Sequence, residues 1–109
     1  MARNPLRGKV AVAGLGATPY ARDHGRTHLS LGLEAALKAI ADAGIDVQDI
    51  DGICGSGATP LAMGGAGFLS LQGALGIERC GWVSNGWLGS AFVQAVQAVH
   101  SGLCDTALC

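Results

Sequence analysis

The chain has 109 residues, 50% of them hydrophobic, 5% aromatic and 14% charged, with a formal net charge of -1. That size allows one domain or part of one, with a core of Ala, Val, Leu and Ile rather than aromatic rings. The balanced charge leaves no electrostatic footprint for nucleic acid or anionic lipid, and every apolar run is too short or too interrupted to span a bilayer.

Residues 1–9 carry charge, but no apolar run of about 7–15 residues follows, so no signal peptide is read there. Residues 10–14 combine branched and small apolar side chains before Gly14-Leu15-Gly16, which predicts a buried strand and a tight turn. Residues 17–28 form a polar loop with Pro19, several charges, and His24 and His28. A helix is predicted over residues 30–43, with Leu33, Ala36, Leu37 and Ile40 on its apolar face. Thr27 or Ser30 supplies the N-cap oxygen, and Gly44 the left-handed C-terminal cap.

Residues 46–51 are acidic and read as a solvated connector. Residues 51–56 then form a second strand running into a Gly-rich turn. Residues 58–67 are loop, with Pro60 and three glycines. A second helix spans residues 68–75, burying Leu69 and Leu75 and stopping at Gly76. Residues 80–84 form a third strand, which includes Cys80. The strongest helix prediction covers residues 90–101, with Phe92, Val93, Val96 and Val99 as its apolar face and Gly102 as terminator. Residues 106–109 begin a fourth strand. The alternation β-α-β-α-β-α-β implies an α/β fold with a mostly parallel sheet and helices on its faces.

Several motifs are weighed by chemistry. A dinucleotide fingerprint needs G-x-G-x-x-G at a strand end that opens a helix. Here Pro19 stands in place of the third Gly, and the helix begins about ten residues later, so a nucleotide-binding domain is disfavoured. His24, His28 and His100 lack Cys or carboxylate partners at metal spacing, so no metal site is read. His100 instead suits a helix C-terminus. Cys54, Cys80, Cys104 and Cys109 form no C-x-x-C pair and read as reduced, mostly buried thiols. Ser90 sits at a helix start, where a nucleophile would be activated. No base or orienting carboxylate is nominated, so it reads as an N-cap or first-turn residue. Trp82 and Trp87 bracket the same turn and read as core or interface residues, or as the lining of an acyl pocket.

Three segments together carry a resemblance: KVAVAGLGATPYAR at 9–22, AALKAIADAGIDVQDIDGICGSG at 35–57, and SNGWLGSAFVQAVQAVHSGLCDTALC at 84–109. They resemble the N-terminal segment of the thiolase superfamily, closest to its sterol-carrier or lipid-transfer branch. The resemblance covers nearly the whole chain and implies that residues 1–109 are the N-terminal part of a longer thiolase-like domain. It implies an acyl-CoA thioester as substrate, with no other cofactor. Thiolases place a nucleophilic Cys at the start of this last helix. Aligning Gly102 and Asp105 with the turn after that helix puts the Cys position at or near Asn85. The stretch Asn85, Gly86, Trp87, Leu88, Gly89, Ser90 contains no thiol.

That departure resembles the thiolase-like lyases of sterol side-chain degradation, which cleave β-hydroxyacyl-CoA thioesters by retro-aldol chemistry alongside a small zinc-ribbon/OB-fold partner. The resemblance therefore favours retro-aldol cleavage over covalent acyl transfer. It nominates no catalytic residue in this chain. Asn85, Gly86, Gly89 and Ser90 are the candidate substrate-binding residues, because a helix N-terminus can hold a thioester oxygen. A homodimer, a cytoplasmic location and an inactive isolated chain are expected. The alternative is a non-catalytic assembly module of the same fold, using its Gly-rich loops and paired Trp.

Overall fold

A computed structural model describes residues 3–55 and 68–109. Helix α1 spans His28–Ala43, and a 3-10 turn spans Val47–Asp49. Strand β1 (Gly52–Gly55), helix α2 (Phe68–Leu75), strand β2 (Trp82–Asn85), helix α3 (Leu88–Ser101) and strand β3 (Ala107–Leu108) follow in order. The strands form one parallel sheet, ordered β2-β1-β3. The α/β class and the parallel sheet are as the alternation implied. The loop expected over residues 58–67, and the burial of Leu69, lie outside the described residues.

Local chemistry accounts for the helix boundaries. Thr27 Oγ1 accepts from the Ser30 amide at 3.1 Å and caps α1. Gly44 closes α1 at φ 69°, and Gly102 closes α3 at φ 82°, a left-handed conformation that costs other residues a steric penalty. The acidic connector is more ordered than expected. Asp46 and Asp49 form a reciprocal capping box around the 3-10 turn.

Asp51 also departs from the solvated reading. Its carboxylate accepts the Asp105 amide at 3.0 Å and the Thr106 amide at 2.8 Å. Its own amide donates to the Thr106 carbonyl at 3.1 Å, and its carbonyl accepts from Gly81 at 2.9 Å. One residue thus ties the entry of β1 to the entries of both neighbouring strands.

The sheet sorts side chains by parity. Ile53 packs with Ala36 and Ile40 of α1 and Leu75 of α2, forming the main apolar cluster with Ile50 and Ile77. Cys54 points to the opposite face, where its thiol donates to the Ala91 carbonyl of α3 at 3.3 Å. The result is a layered arrangement, α1 and α2 on one side and α3 on the other. Cys80 precedes β2 rather than lying within it, and is only half-buried.

Two further expectations are corrected. The apolar face of α3 is not the Phe92, Val93, Val96, Val99 stripe. Ala91, Ala95 and Ala98 are buried, whereas Phe92 is 48% and Val93 52% exposed. The alanines share the same helical spacing, and their small size lets α3 settle close onto the sheet. Val96 and Val99 are half-buried at its flank.

Residues 10–14 form no strand, so the observed order is α-β-α-β-α-β. They run along α1, held by the Leu15 amide donating to Asp42 at 2.9 Å and by Lys38 Nζ donating to the Ala17 carbonyl at 3.2 Å. The approach to α1 is close enough that a Cβ at Gly14 or Gly16 would overlap the helix backbone at Ala39 or Ala35. A cleft of about 730 Å³ separates residues 9–16 from the free edge of β3. Its walls come from α1 on one side of the sheet and α3 on the other, so it lies where a further strand would continue the sheet. Among the described residues no strand therefore pairs with residues 10–14, and the ladder that defines a strand does not form.

Removing the Asp51 carboxylate strands the two amides it accepts. Asp51→Ala is expected to lower stability by about 2 kcal/mol, read by thermal unfolding, with Asp51→Asn losing less because one acceptor oxygen remains. The edge of β3, unpaired among the described residues, also predicts that the 109-residue chain alone self-associates. A monodisperse monomer with a cooperative melt would contradict this.

Candidate functional site

In a parallel α/β sheet, loops at the carboxyl ends of the strands are the favoured ligand positions. The turn from β2 into α3 is such a place, and all four nominated residues occupy it. Asn85 ends β2 in register with Gly55 of β1 and is exposed. Gly86 is buried, and its amide donates to the Gly55 carbonyl at 3.1 Å. Gly89 and Ser90 are exposed in the first turn of α3.

Trp87 is the N-cap of α3 and supplies no side-chain cap, and Ser90 lies in the first turn, one of the two places read for it. The Ser90 amide turns back to the Trp87 carbonyl at 2.8 Å. The first turn carries no acidic residue either. Helix-terminal amides left without a cap, together with the positive end of the helix dipole, favour an incoming oxygen that carries negative charge. Trp87 is 69% exposed beside this opening. Trp82 is half-buried on β2, close to Gly52.

Gly86 is small for a steric reason. A Cβ there would stand 3.0 Å from the Ala91 amide nitrogen and 2.9 Å from Gln94 Nε2. The missing side chain lets the strand end pass directly under the first turn of α3.

A polar relay supports the turn from behind. Gln94 Nε2 donates to Ser90 Oγ at 3.1 Å, and the Ser84 hydroxyl donates to Gln94 Oε1. Ser84 stands opposite Cys54 in the β1–β2 register. Gln94 and Ser84 were not singled out from the sequence. The i, i+4 spacing of Ser90 and Gln94 on a helix was a readable signal for one of them. The placement of Ser84 depends on strand register, which no local pattern shows.

No thiol lies in this turn. Cys54 and Cys104 are buried, Cys80 is half-buried and Cys109 is exposed. Burial pushes the Cys54 and Cys104 thiols above their ordinary pKa. Among the described residues, no group of three or more His, Cys, Asp and Glu side chains is placed to hold a metal ion. His28 opens α1 and His100 closes α3. No helix among the described residues is long and apolar enough to cross a membrane.

The fold and the site describe an α/β layered chain with a helix N-terminus at a strand's carboxyl end and no thiol in that turn. Comparison with known proteins adds chemistry. The chain is 34% identical over 113 aligned positions to the steroid side-chain-cleaving aldolase of Thermomonospora curvata, covering 95% of this chain and 27% of that protein. It is 35% identical over 105 positions to the 17-hydroxy-3-oxo-4-pregnene-20-carboxyl-CoA lyase of Mycobacterium tuberculosis, covering 92% of this chain and 26% of the lyase. A solved structure, the Ltp2-ChsH2(DUF35) aldolase, superposes with a TM-score of 0.76 at 31% identity, covering 86% of this chain and 25% of the other. No family model matches. The chain thus has aldolases and a CoA-thioester lyase as homologues and spans about a quarter of their length.

Gly86→Val is expected to force the strand end away from α3 and to lower stability by about 1–3 kcal/mol, with the loss seen in thermal unfolding.

Proposed function

We propose that the chain is part of a thiolase-like carbon–carbon lyase that cleaves a β-hydroxyacyl-CoA thioester by a retro-aldol reaction. The similarity to an aldolase and a CoA-thioester lyase across more than nine-tenths of the chain carries this reading. A turn without a thiol at the start of α3 is consistent with it. Retro-aldol cleavage needs no acyl-enzyme. A base takes the proton of the β-hydroxyl, the Cα–Cβ bond breaks, and its electron pair moves onto the thioester carbonyl. The products are a carbonyl compound and, after protonation of the enolate, a shorter acyl-CoA.

The charge that develops on the thioester oxygen is what an uncapped helix N-terminus stabilises. In this proposal Asn85 donates its side-chain amide to that oxygen. Gly86 and Gly89 leave room for the thioester, and Ser90, steadied by Gln94, completes the rim. The base belongs to another part of the polypeptide. Residues 1–109 form the N-terminal part of that larger domain. A cytoplasmic homodimer working with a small zinc-ribbon/OB-fold partner belongs to the same proposal. The paired name of the Ltp2-ChsH2(DUF35) aldolase supports a protein partner.

The assembly-module reading has one observation in its favour. Trp87, Phe92 and Val93 present exposed apolar surface around the α3 N-terminal turns. Titration of the full-length protein with a steroid β-hydroxyacyl-CoA separates the two, because an assembly module shows no saturable binding. In the lyase reading, Asn85→Leu lowers kcat/KM by about 100-fold, the size of one lost oxyanion donor. Unchanged turnover and affinity in that variant would remove Asn85 from the site.

A further inference from the structure

The three strands carry a row of side chains that the proposed chemistry does not use. The β1–β3 register pairs Gly52 with Ala107 and Ile53 with Leu108, so the next positions in line are Cys54 and Cys109. The β1–β2 register places Ser84 opposite Cys54. Residues in line across parallel strands point to the same face. Here that is the α3 face, because the Cys54 thiol donates to the Ala91 carbonyl at 3.3 Å. Cys54 and Cys109 both line the same cleft. Neighbouring strands lie about 4.8 Å apart, inside the roughly 4.4–6.8 Å range of Cα separations that a disulfide spans.

We propose that Cys54 and Cys109 are a cross-strand dithiol, oxidised by a small-molecule disulfide to an intramolecular bond that clamps β3 to β1 beneath α3. Access sets the order of events. Cys109 is exposed, whereas Cys54 is 3% exposed, and both line the cleft beside β3. The Cys109 thiolate attacks oxidised glutathione, forming a mixed disulfide and releasing one glutathione thiolate. The Cys54 thiolate then attacks the Cys109 sulfur and releases the second. Two protein thiols lose two electrons and two protons, and one glutathione disulfide becomes two thiols. Burial raises the pKa of Cys54, so its thiolate is scarce at neutral pH.

The test is incubation of the full-length protein with oxidised glutathione, followed by non-reducing digestion and peptide mass spectrometry. The expected product joins the Cys54 and Cys109 peptides, and its rate rises roughly tenfold per pH unit as the thiolate fraction grows. Cys54→Ser removes the resolving thiol and should accumulate glutathione on Cys109. Cys109→Ser should leave Cys54 unmodified, and Cys80→Ser should leave the cross-link intact. Should Cys54→Ser fail to fold, the exposed-site variant Cys109→Ser alone decides the case. A stable glutathione adduct on Cys109 in the unmutated protein, or a bond from either residue to Cys80 or Cys104, would overturn the proposal.

Discussion

Asp51 holds the entries of three strands together, and the rest of the molecule depends on where those strands begin. A parallel pair has no hairpin to fix its register, since each strand arrives through a crossover. Asp51 supplies the missing reference point. Its carboxylate and amide engage residues 105 and 106 on one side, while its carbonyl takes the Gly81 and Trp82 amides on the other. With both neighbours fixed, Ile53 turns to the α1 and α2 layer and Cys54 to the α3 layer. A slip of one residue would exchange the two faces.

The candidate site inherits its geometry from that register. Gly55 opposite Asn85 puts the Gly86 amide on the Gly55 carbonyl, and the absent side chain of Gly86 lets α3 begin directly above. Small residues recur wherever two elements meet: Gly52 beside Cys104 and Trp82, Gly86 beside Ala91, and Gly14 and Gly16 against α1. Close approach seats the turn against α3, and with Trp87 at the N-cap no side chain caps the helix amides at the opening. Cys54 and Cys104, by contrast, are buried away from the turn, and burial raises the pKa of both.

Much of this was legible from local patterns. Thr27, Gly44, Gly76 and Gly102 marked helix boundaries because capping and left-handed turns depend on a few adjacent residues. The strand–turn–helix run around residues 82–101 located the candidate turn for the same reason. The face of α3 was not legible, because alanines and larger apolar residues both satisfy the helical period. Only the flat surface of the sheet selects the smaller set. Asp51 looked like one more acid in a solvated stretch, since its partners lie more than fifty positions away along the chain.

The sequence by itself determined the alternation of helices and strands, the parallel α/β class, and the lack of a thiol in the turn before the last helix. These follow from periodicity, capping and residue identity, which act over one or two helical turns. The tertiary structure alone decided that residues 10–14 stand apart from the sheet, that Ser84, Cys54 and Cys109 fall in one row, and that Gln94 links Ser84 to Ser90. Strand order and register bring together groups remote in sequence, and a hydrogen-bond partner at that remove leaves no trace in the residues beside it.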